Sequence, residues 1–211
     1  MTDPSLHPGW PARLAYGPVE LLPLRRRDAA EWSRLRMTNE DWLRPWEPSS
    51  TIPWHLRHSP AAYRTMRRAV ARRARLGTSI PFAVRVDGRL AGQVTVDNIV
   101  RGALRSGYLG YWIDRSVAGR GVASLAVALV CDHAFGPVGL HRVQADIRPE
   151  NGPSQRLVER LGFQREGLLR RYLDIDGAWR DHIAYGLLAE DVPDGLLARW
   201  RRNAPEADRD A

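Results

Sequence analysis

The chain has 211 residues, of which 44% are hydrophobic, and both values are typical of one folded domain with a substantial core. Its formal net charge is +8, every Lys/Arg position is arginine, and the single cysteine, Cys131, excludes a disulfide framework and a cysteine-based zinc cluster. No apolar run approaches the roughly 20 residues of a membrane-spanning helix, and the start lacks the basic-then-apolar order of a secretory signal. We therefore expect a soluble cytoplasmic protein.

The first sixty residues predict a strand, a helix and a long connection. VELLPL (19–24) has the composition of a short strand, and RDAAEWSRLRM (27–37) predicts a helix that Asp28 caps. Residues 38–60 are rich in proline and tryptophan, which predicts an ordered but irregular loop.

The next helix is strongly basic. It has Ser59-Pro60 at its entrance and Gly77 at its exit, which are common boundary signals. The segment YRTMRRAVARRAR (63–75) contains six arginines. This charge favours a polyanionic neighbour, such as an RNA or a phosphorylated cofactor. A solvated helix face is the alternative, and the sequence does not separate the two.

The rest of the chain predicts a sheet interrupted by two helices. Alternating runs on both sides of Asp87-Gly88 predict a β-hairpin, and a second pair of strands surrounds Asp176-Gly177. Further strands are predicted at 105–114 and 141–147, and helices at 122–135 and 153–162. The order predicts an α+β fold with a mixed sheet of about seven strands and helices on its faces. Residues 1–18 are assigned to an N-terminal extension, 19–190 to the domain and 191–211 to a C-terminal tail.

The stretch SVAGRGVAS (116–124) joins a strand to the helix that follows. Gly119 and Gly121 let the backbone turn sharply and approach a bulky group, and the helix entrance offers unpaired N–H groups. Together with Arg120 they predict an anion cradle. Ser124 replaces the third glycine of a dinucleotide fingerprint, and no Gly-Lys-Ser/Thr follows for a P-loop. A tight turn without a ligand is the alternative.

About thirty residues later, RPENGPSQRLVERLGFQREG (148–167) follows another strand, and the two motifs together resemble the GNAT acetyltransferase superfamily. In that superfamily a Q/R-x-x-G-x-G/A turn binds the coenzyme A pyrophosphate. Here the window begins at Ala118, which departs from the Gln or Arg of the pattern. The segments YWIDRSVAGRGVAS (111–124), WRDHIAYGLL (179–188) and NEDWLRPWEP (39–48) are similar to the RimJ/RimL branch, which acetylates protein N-termini. The resemblance implies an α/β/α sandwich, the GNAT fold, whose central strands splay apart.

The resemblance also implies a site for acetyl-CoA as co-substrate. It assigns the binding to two strand residues, the glycine turn and the entrance of the next helix: Trp112, Ile113, Ala118, Gly119, Arg120, Gly121, Val122, Ala123, Ser124, Asn151 and Ser154. Ser154 would protonate the departing coenzyme A thiolate. Core packing for Trp112, a turn role for Asn151 and helix capping for Ser154 are the structural alternatives.

No residue is an unmistakable general base. A protein α-amine has a pKa of about 8 and a lysine about 10.4, so an N-terminal acceptor needs only a weak base or an ordered water. We select Glu47 as the catalytic base because its loop lies on the acceptor side in the family. Glu40 and Asp41 compete with it, and a solvated surface position is the alternative for all three. RimL-type relatives carry a glutamate where this chain has Tyr172-Leu173, and Asp181 is expected to hold the sheet or a loop.

The leading hypothesis is an Nα-acetyltransferase that acts by direct transfer within a ternary complex, with a ribosomal protein as the expected acceptor. The basic helix Arg64–Arg75 would then contact the ribosome or its rRNA. A small-molecule acetyltransferase for aminoglycosides or polyamines is one alternative, and a non-catalytic coenzyme A sensor or RNA-binding subunit is another. Cys131, His133 and His141 are predicted to be structural, so no metal is expected.

Overall fold

An eight-stranded sheet runs through residues 9–203, the part of the chain that the computed structural model describes. Its strands are β1 (Leu14–Tyr16), β2 (Val19–Pro23), β3 (Ile80–Val86), β4 (Arg89–Val100), β5 (Ser106–Ile113), β6 (Arg142–Ile147), β7 (Gln164–Ile175) and β8 (Ala178–Leu188). The helices are α1 (Ala29–Thr38), α2 (Glu40–Leu43), α3 (Trp54–Arg57), α4 (Pro60–Arg75), α5 (Val122–Phe135), α6 (Gly152–Leu161) and α7 (Leu196–Asn203).

The strands lie in the order β1-β2-β3-β4-β5-β6-β8-β7, which confirms the α+β prediction. β5 and β6 are parallel, and the other neighbouring pairs are antiparallel. The prediction of about seven strands missed β1, which pairs with β2 and lies within the segment assigned to an extension. Three residues are too few for the two-residue alternation that marks a strand in a sequence.

The two faces of the sheet carry separate apolar cores, which confirms helices on both faces. α5 is buried along most of its length, in the larger core that β2–β6 share with α6 and α7. α1 and α4 enclose the smaller core on the other side, around Trp32, Tyr63 and Val70. Because α5 is covered on nearly every side, it is apolar all round rather than amphipathic.

Most boundary signals act as the sequence predicts. The Ser59 hydroxyl accepts the Ala62 N–H at 3.2 Å, and Asp87-Gly88 and Asp176-Gly177 both have positive φ angles, as tight hairpin turns require. The predicted cap at Asp28 is wrong. Its carboxylate accepts the Arg25 N–H and pairs with Arg85 at 2.5 Å, because the buried guanidinium on β3 needs a buried anion.

Residues 38–60 contain more helix than the predicted irregular loop. α2, a 3₁₀ turn at Arg44–Trp46 and α3 lie within them. Each has only three or four residues, too few for a periodic signal. Two tryptophans fix their position, since Trp42 donates to the Ile113 carbonyl at 3.2 Å and Trp54 to the Arg36 carbonyl at 3.0 Å. We call residues 38–60 the aromatic loop.

The segment assigned to a tail also contributes to the fold. The first N–H groups of α7, those of Leu196 and Leu197, donate to the Asp132 carboxylate at 2.6 and 2.9 Å. Trp200 is buried in the larger core, and its indole donates to the Ser124 hydroxyl at 3.2 Å. α7 therefore supports the glycine turn from behind.

Candidate active site

The two parallel strands separate halfway along their length. β5 pairs with β6 only from Ser106 to Tyr108, opposite Arg142 to Gln144. Beyond that point β5 continues on β4 alone, and β6 continues on β8. The predicted splay of the central strands is confirmed, and it opens a wedge in the middle of the sheet.

The wedge exposes backbone groups of β5. The N–H of Asp114 donates to the carbonyl of Ala91 on β4 at 2.8 Å. Because hydrogen bonding alternates along an antiparallel pair, the main chain of Trp112 also faces β4, and the main chains of Tyr111 and Ile113 face the wedge. The Ile113 carbonyl already accepts from Trp42, so the N–H groups of both residues and the Tyr111 carbonyl are left for a ligand.

The glycine turn meets the open end of this wedge. Gly119 and Gly121 have φ angles of +77° and +74°, in the left-handed region that favours glycine. A Cβ at Gly119 would meet nothing within 4 Å, so the space before the turn is open. The first helical bond of α5 runs from the Leu125 N–H to the Gly121 carbonyl, so the N–H groups of the preceding turn lie outside the helical ladder. Exposed amides and open space fit a phosphate group.

A cleft of about 470 Å³ joins the turn, the wedge and the aromatic loop. Its walls include every predicted site residue except Arg120 and Val122: Glu47, Trp112, Ile113, Ala118, Gly119, Gly121, Ala123, Ser124, Asn151 and Ser154. Val122 is instead buried in the core, and Arg120 is exposed. The Ser124 hydroxyl donates to the Gly121 carbonyl at 2.9 Å, so its side chain stabilises the turn.

The tryptophan-rich loop was expected to line an acceptor pocket, and its Trp42 and Trp46 do form part of the cleft wall. Sequence analysis missed the other cleft residues: Leu43 from the aromatic loop, Tyr111 from β5, and Pro153, Arg156, Leu157 and Arg160 from α6. The two arginines are four residues apart and therefore lie on one face of α6. That spacing, directly after a helix entrance, was the available signal for a second cationic contact.

Asn151 and Ser154 have separate tasks at the entrance of α6. The Asn151 side chain caps the helix, because its oxygen accepts the Ser154 N–H at 3.2 Å. Ser154 is thereby relieved of capping, and its hydroxyl lies 2.5 Å from that of Tyr111. Burial raises the pKa of Tyr111 to about 12, although the bond to Ser154 opposes the shift. The pair is a neutral, protonated hydroxyl couple at the centre of the cleft.

A smaller cavity of about 170 Å³ opens beside the same hydroxyl couple. It shares Trp46, Tyr111, Asn151 and Ser154 with the larger cleft, and its other walls come from β5, β6 and β8: Leu109, Gly110, Ala145, Asp146, Ile147, Arg148 and His182. Two cavities that meet at one hydroxyl couple can hold two reactants against each other.

Glu47 lies at the rim of the cleft between two guanidinium groups. Its carboxylate oxygens are 2.5 Å from Arg36 and 3.1 Å from Arg57. Arg36 is only 3% exposed, and burial lowers the pKa of its guanidinium while the Glu47 carboxylate opposes that shift. Both oxygens of Glu47 are thus engaged in holding the loop. Its assignment as the general base stays a prediction.

Arg36 is enclosed by aromatic rings. The guanidinium carbon lies 5.6, 5.2 and 5.0 Å from the ring centres of Trp32, Trp54 and Trp112. Such contacts stabilise a buried cation, and they fix the tryptophan of β5 in the wall of the cleft. We call Arg36, Glu47, Arg57 and the three rings the arginine clamp.

The remaining candidates lie away from the cleft. Cys131 is fully buried in α5, and burial raises the pKa of its thiol. His133 bonds to the Gly9 carbonyl, and His141 pairs with Glu190 at 3.3 Å. Within residues 9–203, no group of three or more His, Cys, Asp or Glu side chains is arranged to hold a metal ion. In the same range no helix has the length and apolarity to cross a membrane.

Comparison with known proteins agrees with this geometry. A family described as "Acetyltransferase (GNAT) domain" matches residues 19–164. The chain belongs to the GNAT acetyltransferase family. Its structure superposes on that of Mycobacterium smegmatis RimJ in complex with CoA-disulfide with a TM-score of 0.91 and 42% sequence identity, over 94% of this chain and 97% of that one.

Two curated relatives show how far sequence similarity extends. The Escherichia coli [ribosomal protein uS5]-alanine N-acetyltransferase is 29% identical over 171 residues, which are 80% of this chain and 87% of the relative. The probable N-acetyltransferase YjcK of Bacillus subtilis is 41% identical over 105 residues. That match spans 50% of this chain and only 58% of the length of YjcK.

Proposed function

We propose that this GNAT acetyltransferase transfers the acetyl group of acetyl-CoA to the N-terminal amine of a protein, and that a ribosomal protein is the acceptor. The observation that carries the proposal is the meeting of two cavities at Ser154, one of which begins at an anion cradle. The similarity to a RimJ in complex with CoA-disulfide and to a ribosomal protein N-acetyltransferase supports the donor and the acceptor class.

The turn and α6 supply what the donor needs. The exposed amides from Gly119 to Ser124 suit the pyrophosphate, and Arg156 and Arg160 add positive charge along the cleft wall. The wedge-facing N–H groups of Tyr111 and Ile113 suit the amide-bearing arm and the acetyl oxygen. When bound, acetyl-CoA supplies an activated thioester, so the chain needs no covalent nucleophile.

Ser154 is our proposed acid for the departing thiolate. Its hydroxyl is free of the capping role, and Tyr111 can replace the proton that it gives up. Glu47 is the proposed base from the sequence, and the arginine clamp is its competing role. An α-amine has a pKa of about 8 and needs only a weak base, which fits a site whose carboxylate, that of Glu47, is already paired.

The basic helix α4 is our proposed contact with rRNA. It has no acidic residue, and Arg64, Arg68, Arg72 and Arg75 follow one another at spacings of three or four on an exposed face. Like charges at these spacings destabilise an isolated helix, so the pattern favours an external anion. Among the described residues, only Arg73 of this helix forms an ion pair, with Asp97 at 2.8 Å.

The decisive experiment is transfer from labelled acetyl-CoA to peptides with free N-termini, including those of ribosomal proteins. N-blocked peptides that contain lysine and a set of aminoglycosides serve as controls. Label on free N-termini alone is the expected result. Label only on small amines would establish the small-molecule enzyme, and coenzyme A binding with no transfer would establish the sensor.

Ribosome association is tested separately from catalysis. The triple variant Arg64→Glu, Arg68→Glu, Arg72→Glu should lose co-sedimentation with ribosomes at low salt and keep its rate on a short peptide. Unchanged co-sedimentation would reject the contact through α4.

A further inference from the structure

His182 of β8 lies on the wall of the smaller cavity, together with Ser154 and Asp146. Its side chain is 4% exposed, so the ring is enclosed rather than solvated. The cavity shares Tyr111 and Ser154 with the wall of the donor cleft. A group entering this cavity therefore meets an imidazole on one side and the thioester end of the cleft on the other.

The hydrogen bonding of His182 defines which ring nitrogen is basic. Its Nδ1 lies 3.1 Å from the carbonyl oxygen of Arg180. A carbonyl oxygen only accepts, so Nδ1 carries the proton and the neutral ring keeps a lone pair on Nε2. Nε2 has no hydrogen-bond partner among residues 9–203. A bare, oriented ring nitrogen is what a proton acceptor needs.

The charged groups around His182 suit a positively charged substrate group. Asp146 on β6 accepts from Gln144 at 2.8 Å, and burial together with the Asp146 charge raises the pKa of Tyr172 to about 12. Tyr172 therefore stays protonated. Arg148 is engaged by the Pro45 carbonyl at 2.6 Å and by the Glu150 carboxylate at 3.1 Å. The Asp146 carboxylate is thus the anion that attracts an ammonium group to this wall.

A distortion of β7 brings Tyr172 against the histidine. β7 and β8 pair at Leu169 with His182 and next at Leu173 with Arg180, so residues 170–172 form a bulge. Arg171 has a φ of +45°, and its N–H donates to the Asp181 carboxylate at 2.7 Å. Bulges re-aim side chains near active sites, and a left-handed arginine is strained.

The bulge has a direct result for the ring of His182. The Tyr172 ring lies edge-on to the imidazole, with centres 5.8 Å apart and planes at 70°. The imidazole is thereby held between the Arg180 carbonyl and an aromatic ring. Asp181, predicted to hold the sheet, does so at the bulge itself.

We infer that Nε2 of His182 accepts the proton of the acceptor amine during acetyl transfer, an assignment that rests on the proposed function. The ammonium form of the acceptor first loses one proton to solvent. The neutral amine nitrogen then forms a bond to the acetyl carbonyl carbon, one N–H proton passes to Nε2, and the C–S bond breaks. The thiolate takes a proton from the Ser154–Tyr111 couple. Solvent then removes the proton from His182 and restores that of the couple, so the charges balance.

The test compares His182→Ala with wild type on a peptide that wild type acetylates. We expect kcat to fall at least 100-fold while KM for acetyl-CoA changes less than about two-fold. Added imidazole should fill the space and restore the rate at least ten-fold. His141→Ala is the control, because that histidine is paired with Glu190 away from both cavities.

A second measurement needs no variant. Ring ¹⁵N chemical shifts of His182 in the wild-type protein should show a protonated Nδ1 and a bare Nε2. Addition of a free-amine peptide with coenzyme A should shift the Nε2 signal, whereas the N-acetylated peptide should not. The opposite tautomer, or an unperturbed Nε2, overturns the assignment even where His182→Ala fails to fold.

The outcomes separate the two proposals. A wild-type protein that acetylates no peptide overturns the proposed function before any variant is compared. Wild-type transfer with an unchanged rate in a folded His182→Ala variant, or a loss that imidazole does not rescue, overturns the role of His182 alone.

Discussion

The two walls of the cleft are built in different ways. The turn wall consists of residues 116–124 and the entrance of α6, and its ligand groups are backbone amides set by glycine φ angles and by the Asn151 cap. The loop wall consists of the aromatic loop, which is held by the arginine clamp and by contacts with the β7–β8 hairpin. The backbone sets the shape of the turn wall, so substitutions of charged side chains should leave that shape unchanged. The shape of the loop wall depends on buried ion pairs.

The largest expected effect on stability comes from replacing Glu47, which holds the loop wall together. Glu47→Gln leaves Arg36 buried without its anion, and we expect a loss of about 3 kcal/mol of unfolding free energy. Urea unfolding measures it. Adding Arg36→Met should recover most of the loss, because the unpaired charge is then gone.

The same variant separates the two roles of Glu47. A fully stable Glu47→Gln protein whose kcat has collapsed would establish it as the base and reject the clamp. A destabilised protein that retains kcat at low temperature is the expected result.

The next effect lies where the walls meet. Ser154→Ala and Tyr111→Phe should each lower kcat about 100-fold, because each breaks the couple that protonates the thiolate. The double variant should be no slower than the slower single variant, since both residues serve one proton transfer. Steady-state kinetics on one peptide measures kcat for all four proteins of this double-mutant cycle. Fully multiplicative losses of kcat would show that the two residues act independently.

A smaller effect is expected from the turn wall. Gly119→Ala places a side chain at a φ of +77°, which costs about 1 kcal/mol, and its methyl projects into the open space of the cradle. KM for acetyl-CoA should rise about ten-fold through the lost fit.

A matched control isolates the cleft from the backbone strain. Gly139→Ala has nearly the same φ, +72°, and nothing within 4 Å, but lies beyond the other end of α5. It should lose similar stability in thermal unfolding and keep its KM. Equal KM values for acetyl-CoA in the two variants would show that the glycine turn does not bind the donor.

The loop wall also contributes a pH dependence of the free energy of unfolding. Burial, and then the Arg36 charge, lower the pKa of His58 to about 4. Below pH 6.5 the unfolded histidine binds a proton that the folded one does not, so stability should fall as the pH drops from 6.5 towards 4. Chemical unfolding at pH 7.5 and 5 measures the fall, and His58→Gln should reduce it. His141→Gln serves as the control that keeps the full fall.

The turn wall was predictable because its signals are local. Glycine positions, the strand before Asp114 and the apolar run of α5 determine a strand–turn–helix within some thirty residues, whatever surrounds it. The cap of α6 shows the limit of local signals. Asn151 and Ser154 are both good caps by residue type. In the structure Asn151 caps the helix, and the position of Tyr111 on β5 gives Ser154 a hydrogen-bond partner in the cleft.

The loop wall was predictable only in part. The family resemblance placed the Glu47 loop on the acceptor side, but the pairing of Glu47 with Arg36 and Arg57 joins residues 11 and 10 positions apart and leaves no pattern in the chain. His182 was seen only as part of a family-like segment, since nothing local indicates that a bulge at 170–172 and the splay of β5 from β6 bring it to Ser154.

The sequence by itself determined the α+β order, the hairpin turns, the splayed pair by family resemblance and the glycine turn, because these follow from short-range backbone preferences and hydrophobic periodicity. Tertiary structure alone decided the inclusion of β1 and α7, the enclosure of Arg36 and the meeting of two cavities at one hydroxyl couple. Those features depend on which distant side chains share a low-dielectric space, and a buried charge or hydroxyl takes its role from the partners that it finds there.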